Sequence, residues 1–172
     1  MVSLQQKQLG FTLLELMISI AIVAILAMIA VPSFNNLIDR SDLKTVAVTI
    51  HADMENARLA AVAAGAGGSA RVNFFDKDDL ECSYEWCYRR ITGDKILTRS
   101  SGDFPSGIDL ALTGFGDDAQ IDVSQQYFLD GDSGTIALTS RSGEHSASVV
   151  RNAAGIFVLC SSQSIMGYAT CP

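Results

Sequence analysis

Residues 10–31 read GFTLLELMISIAIVAILAMIAV, and this stretch decides the fold class. Residues 11–31 hold a single ionisable group, Glu15. As an α-helix they span about 31 Å at 1.5 Å per residue, which matches a hydrocarbon layer of about 30 Å. A chain of 172 residues has little room to bury a helix that is apolar on every side. A secretory signal is also a poor fit. Its apolar region runs to about 7–15 residues and closes on a small-x-small cleavage site, which this run lacks. The expectation is a membrane helix with the polar stretch MVSLQQKQLG, residues 1–10, on the cytoplasmic side. Lys7 agrees with the positive-inside tendency.

Glu15 stands out within this helix. A carboxylate in an apolar layer costs roughly 2.5 kcal/mol or more and marks a function or a partner. No basic residue within the run can neutralise it. A cut after Gly10 would give Phe11 a free α-amine. That amine, on a neighbouring copy shifted by one step, is a natural partner for Glu15, and the pair would set an assembly register.

Composition narrows the remaining classes. Hydrophobic residues make up 48% and charged residues 18%, which is too apolar for a disordered chain. The net charge is −7, and residues 65–172 alone carry 8 Lys and Arg against 14 Asp and Glu. Phosphate contacts need clustered cations, so this balance argues against a nucleic-acid binder.

Beyond the apolar run, residues 33–64 keep a helical pattern. Leu43, Val46 or Ala47, Ile50, Met54, Ala57 and Ala61 form one apolar stripe, and Gly65 stops it. Lys44, His51, Glu55 and Arg58 are expected on the opposite, solvent side, with Glu55 and Arg58 paired at i, i+3. From Gly68 the composition turns to short strands, at 70–75, 88–91, 95–99, 108–112, 121–123, 127–129, 135–139, 147–151 and 156–160. Turn clusters separate them, and the last two read as a hairpin closed by Gly155. Such spacing predicts antiparallel sheets. The fold class is α+β: a long N-terminal helix packed on a C-terminal antiparallel β domain. Its segments are a leader (1–10), a membrane helix (11–31), its continuation as a shaft (32–64) and a β-rich globular domain (65–172).

Gly10-Phe11-Thr12-Leu13-Leu14-Glu15 followed by an all-apolar stretch resembles the class III leader of type IV pilins and type II secretion pseudopilins. The resemblance implies cleavage after Gly10 by a prepilin peptidase, N-methylation of the new N-terminal Phe11, and a docking role for Glu15. It also implies a helix break at Pro32, where the ring removes one helical hydrogen bond. A helix ending ENARLAAVAAG (residues 55–65) and then only strands looks like the GspH/FimT group of minor pilins. That implies a non-enzymatic subunit that helps to start pilus assembly near the tip. Its partners would be other minor pilins, the major pilin, the peptidase that also methylates, and the inner-membrane assembly platform. Before assembly it would sit in the inner membrane as a single-pass protein with its C-terminal domain periplasmic, and afterwards in the filament. The alternatives are a GspH-type minor pseudopilin of a type II secretion system and a minor pilin that binds DNA. Against the last, the hairpin position that carries a Gly-Arg pair in DNA-binding relatives here reads Ala154-Gly155-Ile156-Phe157.

Four cysteines, Cys82, Cys87, Cys160 and Cys171, point to disulfides in an oxidising compartment. Three connectivities are open, and local pairing, Cys82–Cys87 with Cys160–Cys171, closes the smallest loops. Neither spacing suits zinc, which favours tighter pairs with histidines nearby. Gly131-Asp132-Ser133-Gly134 repeats a protease string, but catalysis needs an oriented histidine, and the chain offers only His51 and His145. The run at residues 76–81 lacks the glycine and the acceptor that a calcium loop requires. No cofactor and no catalytic residue are expected.

Overall fold

The computed structural model describes residues 11–65, 68–76, 82–115, 120–124, 133–162 and 167–171. The leader with Gly10, the expected strand at 127–129, the acidic residues 77–81, Asp117, Asp118, Gly131 and Asp132 lie outside the described residues. Two compact units divide the chain, Met1–Leu37 and Ile38–Pro172. Residues of α1 from Ile38 onward fall in the second unit.

One helix, α1 (Leu13–Ala63), contributes to both units. Its 51 residues correspond to about 76 Å of helix. The helical backbone continues through Pro32, where a break was expected. Proline withholds one donor from the ladder, and in this chain that loss does not end the helix. In the first unit every described side chain from Phe11 to Leu37 is exposed.

The second unit folds because the periodic stripe on α1 meets two sheets. The strands are β1 (Ser69–Asp76), β2 (Trp86–Thr92), β3 (Lys95–Ser100), β4 (Asp109–Thr113), β5 (Gln120–Ser124), β6 (Gly134–Thr139), β7 (Ser146–Arg151) and β8 (Phe157–Ser161). They form two four-stranded antiparallel sheets, ordered β3-β2-β1-β5 and β4-β6-β7-β8. Leu43, Val46, Ala47, Ile50, Met54, Ala57 and Ala61 are all buried. They share one core with Val72, Phe74 and Tyr88 of the first sheet and Ile136, Leu138 and Val149 of the second. Burial alternates along β6 and β7, as a sheet with one covered face requires. Two hairpins turn through glycines in the left-handed region, Gly93 (φ 56°) and Gly155 (φ 71°), where a side chain would be strained. Asn152 Oδ1 accepts from the backbone N–H groups of Ala154 and Ile156 and braces the second turn.

One acid interrupts this apolar packing. Asp53 on α1 is buried, and its carboxylate accepts from Tyr88 Oη at 2.7 Å and Arg99 Nε at 2.8 Å. Arg90 adds a looser contact at 3.4 Å. The cluster bolts the helix to β2 and β3 through charge-assisted bonds. Removing one partner of a buried pair strands the others without compensation. Asp53→Ala is expected to destabilise the second unit by about 3–5 kcal/mol, and Tyr88→Phe by about 1–2 kcal/mol. Denaturant titration of the detergent-solubilised chain checks both, and equal effects from the two variants would contradict the assignment.

Candidate functional site

The first unit presents the features singled out in the sequence on one short stretch of backbone. Thr12 precedes the first helical residue, and its Oγ1 accepts the Glu15 backbone N–H at 3.2 Å. This satisfies one of the orphan donors of the first turn. Glu15 lies in that turn, where the helix dipole favours a negative charge. Ser19 Oγ donates to the Glu15 carbonyl at 2.7 Å, which removes a second polar group from the apolar surface. The Glu15 side chain is exposed and has no ion-pair partner among the described residues. Around it Leu13, Leu14, Leu16, Met17 and Ile18 are each more than half exposed. The site is therefore a lone acid on an apolar rod, with no cation to balance it among the described residues. Phe11, the other residue predicted here, is 84% exposed at the start of the helix.

A second apolar stripe on α1 is exposed. Val48, Ala52, Leu59 and Val62 recur at helical spacing on the face away from the core, and all are exposed. The signal was present at i, i+4, i+11 and i+14, but the polar residues interleaved with it masked it. Lys44 is exposed as expected, and its ammonium lies 5.7 Å from the Tyr168 ring. Arg58 Nε pairs with Glu55 Oε2 at 2.9 Å, as predicted. His51 is a correction, since it is half-buried rather than on the solvent side, with Nε2 3.1 Å from the Phe157 carbonyl. Its position beside the stripe residues Ile50 and Met54 brings it under β8.

Both local disulfides are present, Cys82–Cys87 with Cα atoms 5.8 Å apart and Cys160–Cys171 with Cα atoms 5.0 Å apart. The second ties residues 167–171 to β8, next to the bridge between Ser161 and Thr170. Among the described residues no group of three His, Cys, Asp or Glu side chains is placed to hold a metal ion. His145 is buried, and its Nε2 accepts from Arg40 Nε at 3.2 Å, so it is not a free base for Ser133. Arg151 is buried at the end of β7. Asp122 would be raised by its burial. Hydrogen bonds from Arg71 and Gln120, with the charges of Arg71 and Arg151, outweigh that and hold its carboxyl below the usual range.

The comparisons with known proteins point one way. Residues 5–31 match the prokaryotic N-terminal methylation motif. A type IV major fimbrial protein FimA of Dichelobacter nodosus is 32% identical over 148 residues, covering 86% of this chain and 80% of that protein. Two further proteins of the same description and organism are 51% identical over 43 residues, 25% of this chain and 28% and 27% of theirs. The chain belongs to the type IV pilin family. No solved structure matches this pilin. It is a structural subunit and not an enzyme. The motif implies processing by a prepilin peptidase and assembly with other pilins, and the apolar helix fits an inner-membrane anchor and incorporation into a pilus.

The Asp53 cluster gives the pilin's globular unit a pH signature. Burial, then the hydrogen bond to Asp53 and its charge, push the Tyr88 phenol far above its ordinary value, against a smaller opposing effect of Arg99 and Arg90. The folded state thus keeps a proton that the unfolded chain releases near pH ~10. Stability from this group is complete below about pH 10 and falls as pH rises beyond it. Denaturation midpoints recorded from pH 8 to 12 are expected to fall less steeply above ~10 in Tyr88→Phe than in the parent; identical slopes would refute the role.

Proposed function

We propose that this pilin is a minor subunit that helps to initiate assembly of a type IV pilus near its tip. In this reading α1 holds the subunit in the inner membrane with the globular unit on the periplasmic side. The leader is cut after Gly10, Phe11 is N-methylated, and the subunit then enters a helical bundle. The observation that carries the reading is the lone Glu15 carboxylate in the first turn of α1, whose residues 13–31 are otherwise uncharged and, where described, exposed. A carboxylate in hydrocarbon costs roughly 2.5–3.5 kcal/mol, and the Phe11 amine of an adjacent subunit cancels that cost by pairing with it. The stripe of Val48, Ala52, Leu59 and Val62 in the second unit supports packing against other subunits, because these apolar side chains are exposed. The minor class is favoured by the element order, one helix followed only by strands and a 3-10 turn among the described residues.

A second reading, a major fimbrial subunit, is favoured by the names of the relatives. Quantitative mass spectrometry of sheared filaments separates the two. Copies far below those of the principal subunit support the minor class, and copy numbers equal to it support the other. A deletion strain that keeps its pili but loses protein secretion would instead favour a type II pseudopilin. The described residues of the β7–β8 hairpin speak against direct DNA capture, since their only cation, Arg151, is buried.

Glu15→Ala is expected to leave leader removal intact and to lower incorporation into filaments roughly tenfold or more, equivalent to about 1.4 kcal/mol or more. Immunoblots of membranes and sheared pili measure the two steps separately, and normal incorporation would overturn the docking role. Gly10→Leu is expected to block cleavage, so that only the longer form is seen on a gel; a shortened product would contradict the leader assignment.

A further inference from the structure

The first sheet ends at β3, whose outer edge has no strand neighbour among the described residues. Beside that edge an open groove of about 630 Å³ runs between the C-terminal part of α1 and the hairpin of β2 and β3. Asn56 and Ala60 line one wall, and Arg90, Lys95, Ile96 and Leu97 line the other. Its chemistry differs from that of the chain around it. The protein carries −7 overall, yet the described residues of β1, β2 and β3 hold Arg71, Arg89, Arg90, Lys95 and Arg99 against one acid, Asp76. Asp53 is buried and already spent on Tyr88, Arg90 and Arg99, and Glu55, next to Asn56, is paired with Arg58. Lys95 is exposed and has no ion-pair partner among the described residues, and Asp94 in the adjoining turn is exposed. Ile96 is 64% exposed in the strand edge.

We propose that this groove is a docking surface for an extended, acidic segment of an adjacent pilin subunit, a step that rests on the filament reading above. The outer edge of β3, which no described strand covers, supplies backbone donors and acceptors that an extended chain can complete. Lys95 and Arg90 supply the positive field that selects acidic side chains. Leu97 and Ala60 form the apolar floor for an aliphatic residue between those acids, and Ile96, on the opposite face of β3, meets the next side chain of an added strand. The three features are complementary to one kind of partner, a short strand with alternating acidic and apolar side chains. An edge lysine otherwise discourages pairing with a second neutral edge, so the same residue admits the acidic segment and rejects uncharged strands.

The test uses the full chain in filament-assembling cells. A photo-crosslinking p-benzoylphenylalanine replaces Ile96, with the same group at Val158, an exposed position of β8, as the control. After irradiation the filaments are sheared and the adducts mapped by mass spectrometry. The expected result is a crosslink from position 96 to an acidic stretch of another pilin subunit. Its yield should fall at least fivefold in the Lys95→Glu background and be kept in Lys95→Arg. Filaments that contain the protein but give no adduct from position 96, an adduct to a stretch without acids, or a yield indifferent to Lys95→Glu would overturn the groove and leave the filament reading standing. Absence of the protein from the filaments would overturn both.

Discussion

A single charge on an apolar rod constrains everything else about this pilin. Glu15 sits in the first turn of α1, where the helix dipole tolerates it but nothing within the described chain neutralises it. In water such a carboxylate would be unremarkable. In hydrocarbon it is among the most costly groups a helix can carry, and the apolar side chains around it fit an inner-membrane anchor. In the proposed reading a second subunit supplies the cation that balances this carboxylate. Thr12 and Ser19 reinforce the point, since both spend their hydroxyls on the backbone around Glu15 and leave the carboxylate itself available.

The second unit solves a different problem. It folds on the part of α1 that lies within it, from Ile38 onward. The apolar stripe on α1 provides the bulk of the packing, and the Asp53 cluster fixes the helix against β2 and β3. A buried acid with three partners costs desolvation, so its contribution is directional more than additive: apolar contacts alone would let the helix slide along the sheets, whereas Asp53 can meet Tyr88 and Arg99 in one register. The disulfides close the two places where the chain has little core to hold it, the connection into β2 and the segment after β8.

Much of this was legible beforehand. The helical stripe from Leu43 to Ala61 is buried as its period required, because a 3.6-residue repeat of apolar side chains has few other uses. The strands emerged from β-branched and aromatic runs set between glycine turns, and eight of them fall where those runs lie. Loop size favours the two local disulfides that the structure contains, although spacing alone leaves three connectivities open. What escaped depended on contacts between distant residues. Asp53 lies between two apolar positions and reads as an interruption, and nothing near it announces Tyr88 or Arg99, 35 and 46 residues away. His51 was assigned to the solvent side because helix period ignores what a passing strand covers. Pro32 was expected to break a helix that its neighbours carry through.

The most direct test of the central claim is the mass of the mature N-terminus. If Glu15 is balanced by the amine of a neighbouring subunit, that amine must be created by cutting the leader. Protein recovered from filaments should then begin at Phe11 with one methyl group on its nitrogen. A filament protein that begins at Met1, with its leader attached, would contradict the account.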